Sequence, residues 1–123
     1  MSKIALGTVQ FGTDYGVNSV DGQVRPEEVK KILSYGRSKN IDLLDAAPAY
    51  GNSEKILGRM DISNFKVVTK TRHFDNTEIK NNDVKLLNND FHHSLKDLKQ
   101  DGVYGVLIHN ADDLLNPGAE KLF

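Results

Sequence analysis

The chain has 123 residues, about one domain's worth, so it can bury one core and no more. Hydrophobic residues at 38% and charged residues at 27% describe a globular chain rather than a disordered one. Sixteen Lys and Arg against seventeen Asp and Glu give a formal charge of −1, which supplies neither a basic footprint for nucleic acid nor a field toward an anionic membrane.

There is no Cys, which excludes disulfides, thiolate metal sites and Cys nucleophiles. No apolar run reaches the length that spans a bilayer, and Met1-Ser2-Lys3-Ile4 lacks the apolar core of a signal peptide. The expectation is a cytoplasmic protein with no nucleic-acid or membrane partner.

In chain order, Ile4 to Thr8 reads as a short buried strand. Arg25 to Lys39 reads as a helix: Pro26 suits its first position, Glu27 and Glu28 complement the positive end of the dipole, and Val29, Ile32, Leu33 and Gly36 form one face. Asn40 is its stop. Ile41 to Ala46 is the second strand, and Asn52 or Ser53 caps a short helix carrying Ile56, Leu57 and Met60. Lys66 to Lys70, rich in β-branched residues, is the third strand, followed by a loop from Thr71 to about Asn82. The next helix runs from about Asp83 to Lys99, with Val84, Leu87, Phe91, Leu95 and Leu98 on one face and Asp101-Gly102 ending it. Tyr104 to His109 is the fourth strand, with Val106, Leu107 and Ile108 as its apolar run. Asp112 to Leu115 is a turn or single helical coil, and Asn116-Pro117 looks like the start of a further helix that has hardly begun at Phe123.

Alternating strands and helices predict a parallel sheet with right-handed crossovers, either an open doubly wound sheet or part of a (β/α)8 barrel. A full barrel takes about 250 residues. The chain therefore reads, over residues 1–123, as a single incomplete barrel domain of about the first four β/α units, a half barrel.

In parallel α/β folds the reactive groups gather at the C-terminal ends of the strands. Those ends carry Gly7-Thr8, then Asp45 with Tyr50 in the following loop, then Lys70, then His109. A phenol titrates near pH 10 when unperturbed and is a poor acid at neutrality, but a neighbouring ammonium stabilises its anion and eases proton transfer. Lys70 can supply that ammonium, Asp45 its counter-charge, and His109 a hydrogen bond to a substrate oxygen. Such a set protonates a developing alkoxide. No side chain donates hydride, so a nicotinamide cofactor is implied.

The segment Asp45-Ala46-Ala47-Pro48-Ala49-Tyr50-Gly51-Asn52-Ser53-Glu54-Lys55-Ile56-Leu57-Gly58 resembles the signature of the aldo-keto reductases. Leu6-Gly7-Thr8 with Phe11-Gly12, Val68-Thr69-Lys70, and Leu107-Ile108-His109-Asn110-Ala111-Asp112 are similar to three further motifs of that family, in the same order. The resemblance implies a (β/α)8 barrel, a metal-free mechanism and reversible NAD(P)H-dependent reduction of an aldehyde or ketone to an alcohol. It implies Tyr50 as general acid, Lys70 lowering the pKa of Tyr50, Asp45 paired to Lys70, and His109 orienting the carbonyl. Gly7, Thr8 and Asp45 would approach the nicotinamide end of NADP(H) or NAD(H). Gly7 to Gly12 with Tyr15-Gly16-Val17 further resembles a subgroup associated with bacterial surface-polysaccharide pathways, which implies a small carbonyl or sugar-like substrate.

The family's later strands, which hold most of the cofactor, have no counterpart in these 123 residues. Weak or no cofactor binding, and no turnover, are expected of this chain alone, with a non-catalytic binding or assembly module as the alternative. Pairing of two copies through exposed sheet edges is a third possibility.

Plainer roles compete with each assignment. Asp45 can cap the following segment, Tyr50 can be a packed aromatic, Lys70 a solvated charge and His109 a structural imidazole. His92-His93 has no third ligand at metal spacing and reads as a solvated face, as do Asn81-Asn82 and Asn88-Asn89.

Overall fold

The computed structural model describes residues 3–16, 22–75 and 77–123. Met1, Ser2 and Val17, named in the signal-peptide and subgroup readings, lie outside the described residues. In chain order the elements are strand β1 (Leu6–Gly7), helices α1 (Val9–Gly12) and α2 (Pro26–Ser38), strand β2 (Leu43–Asp45), helix α3 (Ser53–Leu57), strand β3 (Lys66–Lys70), helix α4 (Asn81–Leu98) and strand β4 (Gly105–Leu107). Two 3₁₀ turns follow, Ala111–Leu115 and Ala119–Leu122.

Helix α2 forms as its sequence dictates. Pro26 occupies the first turn, Glu27 and Glu28 sit at the positive end, and Val29, Leu33 and Gly36 are buried. It stops because Asn40 turns left-handed (φ 58°). Asn40 N–H then donates to Arg37 O (2.9 Å) and Ile41 N–H to Gly36 O (2.9 Å), closing a Schellman motif. Helix α4, expected to run to about Lys99, ends at Leu98, three residues before Asp101. Lys99 itself turns left-handed (φ 53°), and Gln100 N–H reaches Leu95 O at 3.1 Å. The same pair of capping bonds satisfies the last carbonyls without a glycine.

The four strands are all parallel and lie in the order β1-β2-β3-β4. A doubly wound sheet reverses its strand order at a switch point. This sheet never does, so of the two expected architectures it is the barrel type: three consecutive β/α units and a fourth strand of a (β/α)8 fold. The register pairs Leu6 with Leu44 and Leu44 with Val67, which places these apolar residues on the face covered by helices. There they join Phe11, Val29, Leu33, Ile56, Leu57 and Leu98 in the main core. Strand β3 alternates buried Val67 and Thr69 with half-buried Lys66, Val68 and Lys70 on the opposite face, the one that lines the inside of a barrel.

Three expectations are corrected. The strands pair over fewer residues than the apolar runs suggested, most clearly at β1. The fourth strand, expected over Tyr104 to His109, is only Gly105–Leu107, and Val106 and Leu107 of its apolar run are 45% and 52% exposed, because β4 is the edge strand and no described helix covers it. The helix expected from Pro117 does not form: Gly118 turns left-handed (φ 82°) and only a 3₁₀ turn follows. Its Ala119 is buried with Phe74 and Ile79 in a small second core. Among the described residues no helix is long and apolar enough to cross a membrane.

Candidate active site

Strands β2 and β3 deliver the two central charges. Asp45 pairs in register with Val68, so Lys70, two residues further along, projects from the same inner face. The Lys70 ammonium donates to the Asp45 carboxylate, to Ala46 O at 3.0 Å and to the Tyr50 hydroxyl oxygen at 3.0 Å. Its three protons are thereby matched to three acceptors. The Lys70 side chain is only 12% exposed, whereas that of Asp45 is 40% exposed. Burial works against the ammonium, but its hydrogen bonds to Asp45 and Tyr50 outweigh this and hold Lys70 above the ordinary lysine value.

Tyr50 is brought to Lys70 by a turn. Tyr50 N–H donates to Ala47 O (3.0 Å), Gly51 is left-handed (φ 58°), and Ser53 N–H donates back to Tyr50 O (3.1 Å). The turn is held against the end of α1 so closely that a methyl group on Gly12 would sit 1.8 Å from Tyr50 O. The Tyr50 hydroxyl accepts from Lys70, which leaves its own proton to be donated elsewhere. The ammonium also lies 4.7 Å from the centre of the Tyr50 ring.

His109 follows β4 and stands edge-on to Tyr50, with ring centres 6.1 Å apart at 82°. Its backbone N–H donates to Thr71 Oγ1 (3.1 Å), which ties the loop after β3 to the end of β4. The Nδ1 atom of His109 is buried and has no hydrogen-bond partner among the described residues. Tyr50 and His109 line an open cleft of about 460 Å³ together with Val9, Thr13, Asp14, Tyr15 and Ala49.

All four expected catalytic side chains therefore meet at one end of the sheet. Gly7 pairs with Asp45, is exposed, and has open space where a Cβ would stand. Thr8, expected with Gly7 and Asp45 to approach the nicotinamide end of a cofactor, lies beneath the surface in this chain. It is wholly buried, its hydroxyl donates to Asp45 O (3.0 Å), and its backbone N–H reaches the same oxygen (3.1 Å). Ser53 Oγ in turn lies 2.8 Å from Thr8 O and 3.0 Å from Thr8 Oγ1. Thr8 and Ser53 thus tie β1, β2 and α3 together beneath Asp45.

A second buried set went unread in the sequence. The Glu54 carboxylate accepts from Thr69 Oγ1 (2.6 Å) and Ser94 Oγ (2.9 Å), joining α3, β3 and α4 one residue from Lys70. Burial raises the Glu54 pKa above the usual glutamate value; the Thr69 and Ser94 hydrogen bonds oppose this only in part. The spacing of Glu54 within the signature was visible, but nothing in one sequence shows two hydroxyls converging on it. His92 and His93 are exposed on α4, and each ring bonds back to its own helix, at Asn88 O (2.7 Å) and Asn89 O (2.8 Å).

The aldo/keto reductase family model matches residues 3–117. No curated protein matches the chain. Two solved Pseudomonas aeruginosa structures assigned as aldo-keto reductases superimpose with TM-scores of 0.74 and 0.71, at 30% and 27% identity. They cover 96% and 93% of this chain, which covers 48% and 44% of theirs. An aldo/keto reductase from Brucella melitensis shares the fold at 20% identity, with a TM-score of 0.53, 89% of this chain covered and 39% of that one. The chain thus spans about half the length of the structures it matches.

Proposed function

The chain belongs to the aldo/keto reductase family, and from that premise we propose that it carries the proton-donor half of an NAD(P)H-dependent carbonyl reductase. The observation that carries this reading is the Tyr50 hydroxyl 3.0 Å from an ammonium that is itself paired with Asp45. Tyr50 is the general acid and gives its proton to the oxygen of an aldehyde or ketone. Lys70 holds the phenol oxygen and offsets the negative charge it acquires on giving up that proton. Asp45 keeps the ammonium charged and aimed. His109 lines the same cleft edge-on to Tyr50, so it is placed to orient the substrate oxygen.

The open space over Gly7, beside the exposed part of Asp45, fits a flat ring lying against the sheet end. When bound there, a nicotinamide supplies the hydride. The buried Thr8 contributes by fixing the Asp45 backbone rather than by touching the cofactor. In barrels the phosphate sites commonly lie after strands seven and eight. Four strands therefore hold the acid chemistry and little of the cofactor's anionic part. The substrate is a small carbonyl compound, and the Asp14 and Tyr15 lining suits a hydroxyl-rich, sugar-like one.

Two constructions test this. NADPH titrated into the 123-residue chain is expected to bind weakly or not at all, with no aldehyde reduction. A chimaera with residues 3–117 in place of the matching half of the Pseudomonas aeruginosa structure at 30% identity is expected to reduce aldehydes. There Tyr50→Phe should cost about 10²- to 10⁴-fold in kcat, the range for a general acid. Unchanged turnover in that variant would remove Tyr50 from the mechanism.

A further inference from the structure

We infer that Glu54 is a positioning residue for the proton donor: through Thr69 it straps the segment that carries Tyr50 to the strand that carries Lys70. The inference rests on the reading of Tyr50 as general acid with Lys70 as its support, and says what sets the 3.0 Å between them. Tyr50 stands in a loop and Lys70 ends a strand. Their separation therefore depends on how the helix after that loop docks on the sheet. Helix α3 begins at Ser53, shortly after Tyr50, and its first two residues are buried, Ser53 wholly and Glu54 with 6% exposed.

These two residues fasten α3 in different directions. Ser53 Oγ reaches Thr8 O (2.8 Å), and the Thr8 hydroxyl holds Asp45 O (3.0 Å), so one arm runs to the strand end that carries Asp45. Glu54 Oε1 accepts from Thr69 Oγ1 (2.6 Å), and Thr69 is the residue before Lys70. The path from Tyr50 to Lys70 is thus a short stretch of chain, one hydrogen bond and one step along β3. Among the described residues no other hydrogen bond joins α3 to β3. The second carboxylate oxygen accepts from Ser94 Oγ (2.9 Å) on α4, off that path. A carboxylate suits the junction because its two oxygens accept from two hydroxyls at once. The contact of α3 with α4 has a further fastening. Their backbones approach so closely that a methyl group on Gly58 would stand 2.0 Å from Asp97 O. Loss of the Ser94 bond therefore leaves α3 seated on α4, whereas loss of the Thr69 bond frees it from β3.

The strap predicts an asymmetry that a purely structural role does not. Thr69→Val and Ser94→Ala each remove one buried hydroxyl from the same carboxylate, so they should destabilise the chain to similar degrees. Only Thr69→Val severs the path from Tyr50 to Lys70. An ammonium 4.7 Å from the Tyr50 ring centre implies nuclear Overhauser contacts between the Lys70 side chain and that ring. In the 123-residue chain these should weaken in Thr69→Val and persist in Ser94→Ala. In the chimaera carrying residues 3–117, Thr69→Val should lower kcat by about 10- to 10²-fold, the scale for misplacing a reacting group by up to about 1 Å, with KM nearly unchanged. Ser94→Ala should leave kcat nearly unchanged. Glu54→Gln, whose amide accepts from Thr69 and donates to Ser94, should keep both the contacts and the rate. Contacts that weaken equally in Thr69→Val and Ser94→Ala, or that persist in both, would overturn the proposal. So would a Glu54→Gln chain that folds but loses them, a test that stands even if Thr69→Val fails to fold. Unchanged kcat in Thr69→Val beside an inactive Tyr50→Phe would remove the strap and leave the acid in place. Full turnover in Tyr50→Phe would remove the acid, and the contacts would still decide the strap.

Discussion

Gly7 and Gly12 lie five residues apart and face opposite fates on gaining a methyl group. At Gly12 the added Cβ would stand 1.8 Å from Tyr50 O, 2.4 Å from Ser53 N and 2.8 Å from Ser53 Cβ. Two of these are backbone atoms, so no rotamer change relieves the overlap, and α1 must move away from the Tyr50 turn. Overpacking of this kind costs about 1–3 kcal/mol, and backbone contacts place Gly12→Ala near 3. Alanine's better helix propensity returns up to about 1 kcal/mol, leaving a net loss of about 2. At about 2.1 cal/mol/K per residue, the unfolding entropy of 123 residues is about 0.26 kcal/mol/K, so Tm should fall by about 8 °C. At Gly7 nothing lies within 4 Å of the added atom, and Gly7→Ala should change stability by less than about 1 kcal/mol, toward greater stability. Thermal unfolding of both variants at one chain concentration provides the comparison. The Tyr50 ring resonances should shift in Gly12→Ala alone, since only that substitution displaces the turn. Equal Tm values for the two variants, or a Gly12→Ala loss below about 0.5 kcal/mol, would refute the claimed packing of α1 on the Tyr50 turn.

Glu54 makes stability depend on pH in a direction opposite to most carboxylates. Its folded-state pKa is raised, so its contribution is fully present below the ordinary glutamate value and is lost as pH rises through the higher folded one. The urea midpoint of wild type relative to Glu54→Gln should therefore fall from acid toward neutral pH, and a difference that does not vary with pH would contradict this. Lys70 is also raised; its contribution holds up to the ordinary lysine value and is lost as pH rises beyond it. Asp45→Asn should flatten that alkaline loss and cost about 1 kcal/mol at neutral pH, a modest figure because Asp45 is 40% exposed and the pair is partly screened. An alkaline limb identical in Asp45→Asn and wild type would show that the ion pair contributes nothing.

What the sequence disclosed follows from how strongly each signal constrains the chain. Helix α2 was legible because Pro26, two glutamates and an apolar stripe agree, and Asn40 gives it a stop that L-residues seldom supply. The site was legible because charges at successive strand ends are costly there without a purpose, and the strand register then forces Asp45 and Lys70 onto one face. The burial of Thr8 was not legible, for a definite reason. A threonine at a strand end looks the same whether its hydroxyl faces a ligand or bonds across to Asp45 O, and the bond to Ser53 spans 45 positions. Lys99 closing α4 in a left-handed conformation is similarly invisible, since lysine carries no such preference.

Strand β4 shows the converse case, where the sequence was right about a tendency and the isolated sheet does not fulfil it. Val106, Leu107 and Ile108 form the kind of apolar run that parallel sheets bury on both faces. Their neighbours in the register explain why only part of the run is covered. Thr69, opposite Val106, is buried beneath α3 and α4 through Glu54 and Ser94, whereas no helix reaches across to Val106 itself. Leu107 pairs with Lys70 on the inner face, where cover comes only from strands on the far side of a barrel. The mismatch between apolar content and exposure is therefore local to β4: among the described residues no helix covers its outer side at Val106 and no strand faces its inner side at Leu107.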